Sequence, residues 1–494
     1  MSTEELDAVC ENFANVVGAR VANGARFCGL FAVPQDQATR LVSICAHDGV
    51  LERDEHLVES EASTFASLTS SVPAAAWYER EIQDLYGVVP LGHPRANPLV
   101  LPRSSTSVPP RPGSDVPAAS VELDTTPLPA HLSGEGVFTI PYGPVRSGVF
   151  ESIEYLVETP GEDIPHLRTR VFYKHRGIEA RFCGMSVGEG ALMAERAEGV
   201  ASVAHAIAYA EAVERIAGVE IPDAAALVRV IHAELERVAN HLDSTIHHTE
   251  GAGQAVAYAR LTLHKERLQR LRSRLCGSRF GRGVVIPGGV RGALGLSRGD
   301  LFDTIDQIEH GINSDLRMLL ATPSFVDRLR ATGVVAPAVA ERFAAIGPVG
   351  RASGQGEDVR FARPYAAYGR LGHQLLEPKE SGDALARQRV RIEEIAGAFH
   401  LIRQAIDRIE RVDTSSWCND VGTPSGEDVG WAEAPQGEVL YLVTIEDGIL
   451  VRVKPRSASF HNLGLFHAAF PKDILTDFAF IEASFGLSIA GVAS

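Results

Sequence analysis

The sequence predicts an α+β protein in two parts: a small α/β N-terminal domain and a large domain of long helices with flanking antiparallel strands. Three observations lead to this fold class. Short runs with strand character occupy the first hundred residues, a stretch rich in Pro, Ser and Thr follows, and five long helical patterns come after it. At 494 residues the chain also exceeds one ordinary core. We therefore divide it into a domain at 1–100, a linker at 101–133 and a domain at 134–494.

The N-terminal domain is predicted from two strands and one helix. The strands are "RFCGLFAV" and "TRLVSICAHDG", and the helix is "WYEREIQDLYGV", which ends in a glycine turn. The linker shows no hydrophobic period, which is typical of a semi-extended segment. The second domain begins with "GVFTIPYGPVRSGVFESIEYLVET", whose alternation of apolar and polar residues favours antiparallel strands.

Five helices are predicted in the large domain, and strands return at its end. The helices span 194–217, 223–247, 252–275, 298–321 and 384–411. Gly218 is the expected C-cap of the first, with Pro222 just beyond it. In the tail "GEVLYLVTIEDGILVRVKPRS", the sequence Glu446-Asp447-Gly448 predicts a hairpin turn.

Composition excludes several classes of protein. The formal net charge of -16 argues against nucleic-acid binding, because phosphate contacts need clustered Lys and Arg. The six cysteines form no C-x-x-C pair, so neither a disulfide framework nor a zinc or iron-sulfur site is expected. The acidic N-terminus is unlike a signal peptide, and no apolar run reaches the ~18 residues of a membrane helix. Membrane association is therefore expected only through partner subunits.

Histidines and glycines point to no metal or nucleotide site by themselves. Neither G-x-G-x-x-G after a strand nor G-x-x-x-x-G-K-[ST] occurs. His232 and His241 lie nine residues apart, on opposite sides of a helix at about 100° per residue, and His247 and His248 are adjacent, so neither pair can share a metal from one helix face. His205 stands among alanines and is expected to be a satisfied core residue, with another backbone packed closely against its helix.

Motifs carry a resemblance that covers nearly the whole chain. "WYEREIQDLYGVVPLGHP" resembles the signature of the C-type (30 kDa) subunit of NADH-quinone oxidoreductase, respiratory complex I. From residue 140 onward the chain resembles the D-type (49 kDa) subunit of complex I and the large subunits of energy-converting nickel-iron hydrogenases, including formate hydrogenlyase. The matching patterns include "YKHRGIE", "SVAHAIAYAEAVERIAGVEIP", "RVIHAELERVANHL", "GPVGRASGQGEDVRFARPYAAY" and "RVKPRSASFHNL". The resemblance implies a fused C/D-like chain with a hydrogenase-large-subunit-like second domain.

The four metal-binding cysteines of those hydrogenases are absent. The resemblance places them at Glu198, Ala201, Ser488 and Gly491. A nickel-iron centre requires soft thiolate ligands, so the resemblance implies neither this centre nor hydrogen chemistry. A hard-metal site that uses Glu198 and Ser488 is the less favoured alternative.

The complex I relatives imply a quinone pocket where the hydrogenases hold metal. Its expected residues are Arg146, Met193, Glu198, His205 and Ser488. Arg146 stands near a family histidine and Met193 at a family tyrosine; an arginine can donate to a quinone carbonyl but does not deliver a proton as histidine does.

The catalytic candidates are His175, Arg176 and Glu179 of the H-R-G-x-E pattern. Two roles remain open for them. They form either a proton relay or, as we favour, a structural ion pair.

The resemblance implies an oxidoreductase subunit rather than a hydrogenase. We expect no cofactor in this chain except a quinone. The expected partners are an iron-sulfur subunit that resembles the B-type small subunit of complex I and carries a 4Fe-4S cluster, and membrane-arm subunits that hold the chain peripherally on the cytoplasmic side. A non-catalytic scaffold is the alternative, and it predicts a pocket sealed by side chains such as Met193 and Phe485. A working hydrogenase, the third hypothesis, predicts nickel.

Overall fold

A computed structural model describes residues 3–59, 63–102, 109–114, 131–132, 134–146, 151–372 and 375–492, with only the backbone described for 3–11. The N-terminal part contains helices α1 (Thr3–Ala22) and α2 (Ala76–Tyr86) and strands β1 (Arg26–Gln35), β2 (Ala38–His47), β3 (Val50–Glu59), β4 (Thr64–Ala66) and β5 (Val89–Leu91). Strands β1, β2 and β3 form an antiparallel sheet in that order. Tight turns join these three strands, whereas β4 and β5 pair in parallel across α2. The N-terminal part therefore contains both kinds of strand pair, and the predicted mixture of helices and sheets is confirmed.

The N-terminal part packs directly on the rest of the chain. Its sheet shares a buried apolar cluster with later strands, formed by Cys28, Phe31, Val33, Val42, Ile44, Ala46, Val429, Leu440 and Leu442. Arg26 donates to Glu357 (2.6 Å) and to Glu438 (2.8 Å) across the same contact. Most of the predicted linker lies outside the described residues. In its described piece, Arg111 donates its backbone N–H to the Leu85 carbonyl at 2.7 Å.

The second part combines helices with three antiparallel sheets. Its helices are α3 (Ile178–Phe182), α4 (Val187–Ala194), α5 (Ser202–Ala217), α6 (Asp223–Gly251), α7 (Ala255–Cys276), α8 (Arg298–Leu320), α9 (Pro323–Leu329), α10 (Pro337–Arg342), α11 (Gly347–Arg351), α12 (Val359–Ala362), α13 (Ala384–Ile409), α14 (Ala458–Leu463), α15 (Phe478–Phe485) and α16 (Ile489–Val492). Its strands are β6 (Phe138–Tyr142), β7 (Glu154–Thr159), β8 (His166–Arg170), β9 (Val285–Ile286), β10 (Gly289–Val290), β11 (Gly426–Ala434), β12 (Gly437–Glu446) and β13 (Ile449–Arg456). The sheets run β6-β7-β8, β9-β10 and β11-β12-β13.

Four of the five predicted long helices match within a few residues, and the first does not. The predicted helix 194–217 is interrupted: α4 ends at Ala194 and α5 begins at Ser202. The backbone N–H groups of Val203 and Ala204 donate to the carboxylate of Glu236, on α6, at 2.9 and 3.1 Å. The new helix start is thus capped by a residue more than thirty positions away, which local sequence does not reveal. Gly218 is the C-cap with φ 65°, as predicted.

The alanines of α5 allow direct backbone contact with strand β11. A Cβ built on Gly430 would lie 2.0 Å from the Ala208 carbonyl oxygen and 2.5 Å from the Ala212 nitrogen. Larger side chains on either element would separate the two backbones. The predicted close approach of another backbone is therefore confirmed. Among the described residues, none of the helices is both long and apolar enough to cross a bilayer.

Candidate functional site

Two segments bring together the four positions at which the resemblance predicts the hydrogenase cysteines. The turn at 195–201, between α4 and α5, lies against the C-terminal segment that contains Ser488 and Gly491. A methyl group built on Gly491 would lie 2.7 Å from the carboxyl carbon of Glu198. The Glu198 carboxylate therefore occupies the space that a side chain at position 491 would need. Ala201 is fully buried at the start of α5.

Glu198 is the centre of a buried hydrogen-bond network. Its carboxylate accepts from the Ser459 hydroxyl at 2.7 Å and lies 3.1 Å from His205 Nε2. His205 Nδ1 lies 2.8 Å from the Tyr441 hydroxyl. Ser459 also accepts from the Ser488 backbone N–H at 3.0 Å. Both ring nitrogens of His205 are thus satisfied, as expected of a core histidine, and the carboxylate has partners on both oxygens.

Arg176 holds the two segments together. Its guanidinium donates to the carbonyls of Arg196 (2.7 Å) and Ala490 (2.6 Å), and also to the Ala197 carbonyl. The contacts lie on both sides of the site, so Arg176 fixes the turn against the C-terminal segment. Burial lowers the pKa of Arg176. Both of its terminal nitrogens donate to backbone carbonyls, which suits a residue that positions the two segments.

A cavity of about 590 Å³ opens beside this network. Its lining combines apolar and aromatic side chains with charged and hydroxyl groups. The lining residues are Arg146, Glu151, Tyr155, Val200, Asn240, Asp243, Ser244, His247, Glu250, Gly251, Leu463, Phe466, Ala479, Glu482, Ala483, Phe485, Gly486, Leu487, Ser488 and Ile489. The volume lies within the range of small-molecule sites, about 300–1,000 Å³.

Arg146 is held in the cavity wall by a carboxylate and two aromatic rings. Its terminal nitrogens donate to Glu482 at 2.8 and 2.9 Å, and Tyr155 donates its hydroxyl to Glu482 at 3.1 Å. The guanidinium carbon lies 5.3 Å from the ring centre of Tyr142 and 5.4 Å from that of Tyr155. Burial opposes the charge of Arg146, but Glu482 outweighs it and raises the pKa of Arg146 above its usual value. The side chain is therefore a charged, oriented donor.

Glu151 links the cavity to the C-terminal segment. Its carboxylate accepts from the Ser488 hydroxyl at 3.1 Å and from the Ala490 backbone N–H at 2.5 Å. Ser488 therefore presents its hydroxyl to the cavity while its backbone N–H contacts the Glu198 network through Ser459. The cavity and the network share one wall.

The five predicted pocket residues do not form one surface. Arg146 and Ser488 line the cavity, whereas Glu198 and His205 lie buried behind it. Met193 is half-buried against the main helical core and is not among the lining residues, which corrects its predicted place in the pocket wall. Phe485 lines the cavity without closing it.

Sequence patterns missed Glu482, Glu151 and Tyr155. Glu482 and Tyr155 lie 327 residues apart along the chain, so only the fold brings them together. One signal in the sequence was Glu482, an acidic residue shortly before Ser488, where the resemblance places a missing cysteine. The segment "GPVRSGVFE", which ends at Glu151, was the other; its residues 147–150 lie outside the described residues.

The three catalytic candidates have different surroundings. Glu179 is fully buried and accepts from Arg452 (2.6 Å), Lys454 (2.5 Å) and the Tyr86 hydroxyl (3.2 Å), which joins the second part to the N-terminal part. Burial lowers the pKa of His175, whose Nδ1 has no hydrogen-bond partner among the described residues. None of the three lines the cavity. Their geometry favours the structural role, and a relay role stays a prediction.

Acid is expected to weaken the fold through Glu179. Burial alone would raise the pKa of Glu179, but Lys454 and Arg452 outweigh it and lower the pKa to about 2. Since the unfolded value is about 4.3, the stabilisation is complete above that pH and is lost as the pH falls towards 2. Urea unfolding midpoints of wild type and Glu179→Gln, compared between pH 7 and pH 3, should converge on acidification. A gap between the two proteins that stays constant would contradict this assignment.

In the described ranges, no group of three or more His, Cys, Asp and Glu side chains is arranged to hold a metal ion. His241 Nε2 lies 2.8 Å from Glu394, and His232 is separately buried, with a pKa that burial lowers to about 3.

Comparisons with known proteins match both parts of the chain. A family model described as the respiratory-chain NADH dehydrogenase 30 Kd subunit matches residues 31–119, and one described as the 49 Kd subunit matches residues 252–420. Formate hydrogenlyase subunit 5 of Escherichia coli (strain K12) is 28% identical over 420 residues, which cover 82% of this chain and 72% of that protein. The resemblance predicted from the motifs is thus confirmed.

Two further relatives represent the two branches of that resemblance. The membrane-bound hydrogenase subunit alpha of Pyrococcus furiosus is 30% identical over 365 residues, which cover 70% of this chain and 84% of that protein. The C/D subunit of NADH-quinone oxidoreductase from Rhodopseudomonas palustris (strain BisB5) is 26% identical over 474 residues, which cover 85% of this chain and 80% of that protein.

Proposed function

Because this chain belongs to the family of complex I 49 kDa subunits and membrane-bound hydrogenase large subunits, we propose that it is an oxidoreductase subunit whose cavity binds a quinone headgroup. It couples electron transfer within a multisubunit complex to membrane subunits. The single observation that carries the proposal is the open cavity of about 590 Å³ beside the four substituted ligand positions.

The lining supports a flat, neutral ligand with polar ends. Phe466, Phe485 and Leu487 offer apolar contact for a ring, and Arg146 and Ser488 offer hydrogen bonds for carbonyl oxygens. A guanidinium has five N–H donors and can serve Glu482 and a ligand carbonyl together. It does not release a proton at neutral pH, so the carrier binds here without the proton coupling that a histidine provides.

The residues at the ligand positions do not fit a nickel-iron centre. Soft thiolates are required, and the chain offers a carboxylate, a methyl group, a hydroxyl and no side chain. The Glu198 carboxylate is already engaged by Ser459 and His205, and it fills the space next to Gly491. These contacts support a member of the family that works without its own metal.

The electrons require a partner that holds a redox centre next to the cavity. We infer an iron-sulfur subunit resembling the B-type small subunit of complex I, with a 4Fe-4S cluster, and membrane-arm subunits that keep this chain peripheral on the cytoplasmic side. A non-catalytic scaffold is the second candidate, and the sealed Glu198 network favours it. The open cavity favours the oxidoreductase.

Purification of the native complex through a tag on this chain tests the proposal. We expect co-purified membrane and iron-sulfur subunits, iron with acid-labile sulfide, and reduction of a short-chain quinone by dithionite-reduced complex. Nickel stoichiometric with this chain would overturn the metal-free account. An intact complex that neither binds nor reduces quinone would favour the scaffold.

A further inference from the structure

A basic surface lies on helix α7, in a chain that is otherwise strongly acidic. Residues 255–292 carry nine Lys and Arg side chains against one Asp or Glu, whereas the whole chain has a net charge of -16. Positive charge is therefore concentrated in this segment, and the remainder is more acidic than the total suggests. Such a concentrated field selects for a partner of opposite charge.

The charges form one outward stripe of α7. Val256, Arg260, Leu263, Arg267, Arg270 and Arg274 follow one another at spacings of three and four residues, which places them on a single helix face. All six are exposed, with Val256 75% and Leu263 49% accessible. An adjacent face, with Leu261, Leu268, Leu271 and Leu275, is buried in the core. The stripe extends for about 27 Å at 1.5 Å per residue.

Two of these arginines form ion pairs with carboxylates of this chain. Arg260 contacts Asp315 at 2.7 Å, and Arg270 contacts Glu266 at 2.7 Å. Arg267 and Arg274 form no ion pair within the part of the chain that the structure describes. Two outward guanidiniums on the same face, seven residues or about two helical turns apart, suit two carboxylates on another surface.

We propose that the α7 stripe docks an acidic protein surface of another subunit. A membrane-binding helix presents a continuous apolar face to lipid, but the continuous apolar face of α7 is buried. What it exposes is isolated aliphatic side chains among arginines, a mixture typical of protein interfaces. Phe280 and Arg279, exposed just beyond the helix, extend the surface.

Helix α7 separates the docked subunit from the cavity wall, because Lys265 lies on the side of α7 away from the stripe. Lys265 of α7 forms an ion pair with Asp243 of α6, and Asp243 lines the cavity. A partner on the stripe is therefore one helix away from the bound carrier. The inference uses the proposed function only in placing the partner in the same complex, and it stands whether or not quinone binds.

The double variant Arg267→Glu/Arg274→Glu tests the proposal in the native complex. We expect one subunit to dissociate at lower NaCl concentration than in wild type, while the thermal midpoint of the chain falls only slightly, because Arg274 lies in the last turn of α7. The isolated full chain should bind poly-L-glutamate roughly tenfold more weakly than wild type does, because two exposed charge pairs are lost. Quinone binding by the same variant should be unaltered, which separates this result from the proposed function.

The control is Arg330→Glu/Arg342→Glu, the same charge change at two exposed arginines away from α7. Arg330 lies 3.6 Å from Asp327, an exposed pair whose loss costs little. It should keep the full set of subunits and wild-type affinity for poly-L-glutamate. An unchanged complex in the stripe variant would overturn the proposal. So would wild-type binding to vesicles of phosphatidylcholine with 30% phosphatidylglycerol but not to poly-L-glutamate, or a self-association that the stripe variant alone abolishes.

Discussion

Replacing Arg351 with alanine is expected to destabilise the fold by about 3–5 kcal/mol. Arg351 is fully buried at the end of α11 and donates to Glu394 at 2.9 Å and to Glu433 at 3.0 Å. Asp358 lies 3.5 Å from the same guanidinium. The variant leaves these carboxylates buried without the cation that they share. Their negative charge is then neither paired nor solvated by water.

Protonation cannot neutralise all of these carboxylates and so cannot remove the free-energy cost of burying them unpaired. Burial lifts the pKa of Glu433 to about 7, with the charge of Asp358 adding to the effect, so Glu433 is partly protonated at neutral pH. Glu394 differs: burial would raise its pKa, but Arg351, His241 and Arg237 outweigh burial and hold the pKa well below its usual value. Losing Arg351 therefore acts mainly through Glu394.

Urea unfolding followed by far-UV circular dichroism gives the stability of both proteins. The control is Arg298→Ala, which removes an exposed ion pair with Asp407 and should leave the midpoint nearly unchanged. Equal small shifts in the two variants would contradict the assignment of Arg351 to a buried charge network.

Arg146→Ala is expected to weaken quinone binding roughly 10- to 150-fold, which corresponds to losing one hydrogen bond from a charged donor of about 1.5–3 kcal/mol. Glu482 stays partly accessible to water, at 21% exposure of its side chain, so its loss of a partner costs little folding energy. Arg146 itself is 2% exposed and packs against Tyr142 and Tyr155, so the thermal midpoint should also fall slightly, while the main effect appears in affinity.

Titration of the purified complex with a short-chain ubiquinone, followed by tryptophan or calorimetric signals, measures that affinity. The matched control is Arg170→Ala, which also removes an arginine–glutamate pair, Arg170 with Glu154 at 3.0 Å, but does not line the cavity. Equal losses of affinity in both variants would point to a general structural effect and against a ligand contact.

The long helices were predictable because their periodicity is local. The helices predicted at 223–247 and 384–411 correspond to α6 and α13, which begin at the predicted residues and end within four of them. The hairpin at Asp447-Gly448 was equally local, with both residues at positive φ. These features depend on neighbours within a few positions, which a single sequence contains.

The interruption before α5 and the cavity wall depend on distant residues. Glu236 caps α5 from another helix, and Glu482 reaches Arg146 across 336 positions. Motif resemblance located Arg146 and Ser488 in the cavity, but it placed Met193 there as well. A family motif gives positions along the chain, whereas side-chain direction is set by packing.

Photolabelling of the native complex with an azido-quinone tests the central claim most directly. Peptide mapping should find the label on cavity-lining residues of α15 and the segment after it, near Phe485 and Leu487, and excess unlabelled quinone should abolish it. Label confined to membrane subunits, or label on this chain that unlabelled quinone does not displace, would contradict a quinone site in this cavity.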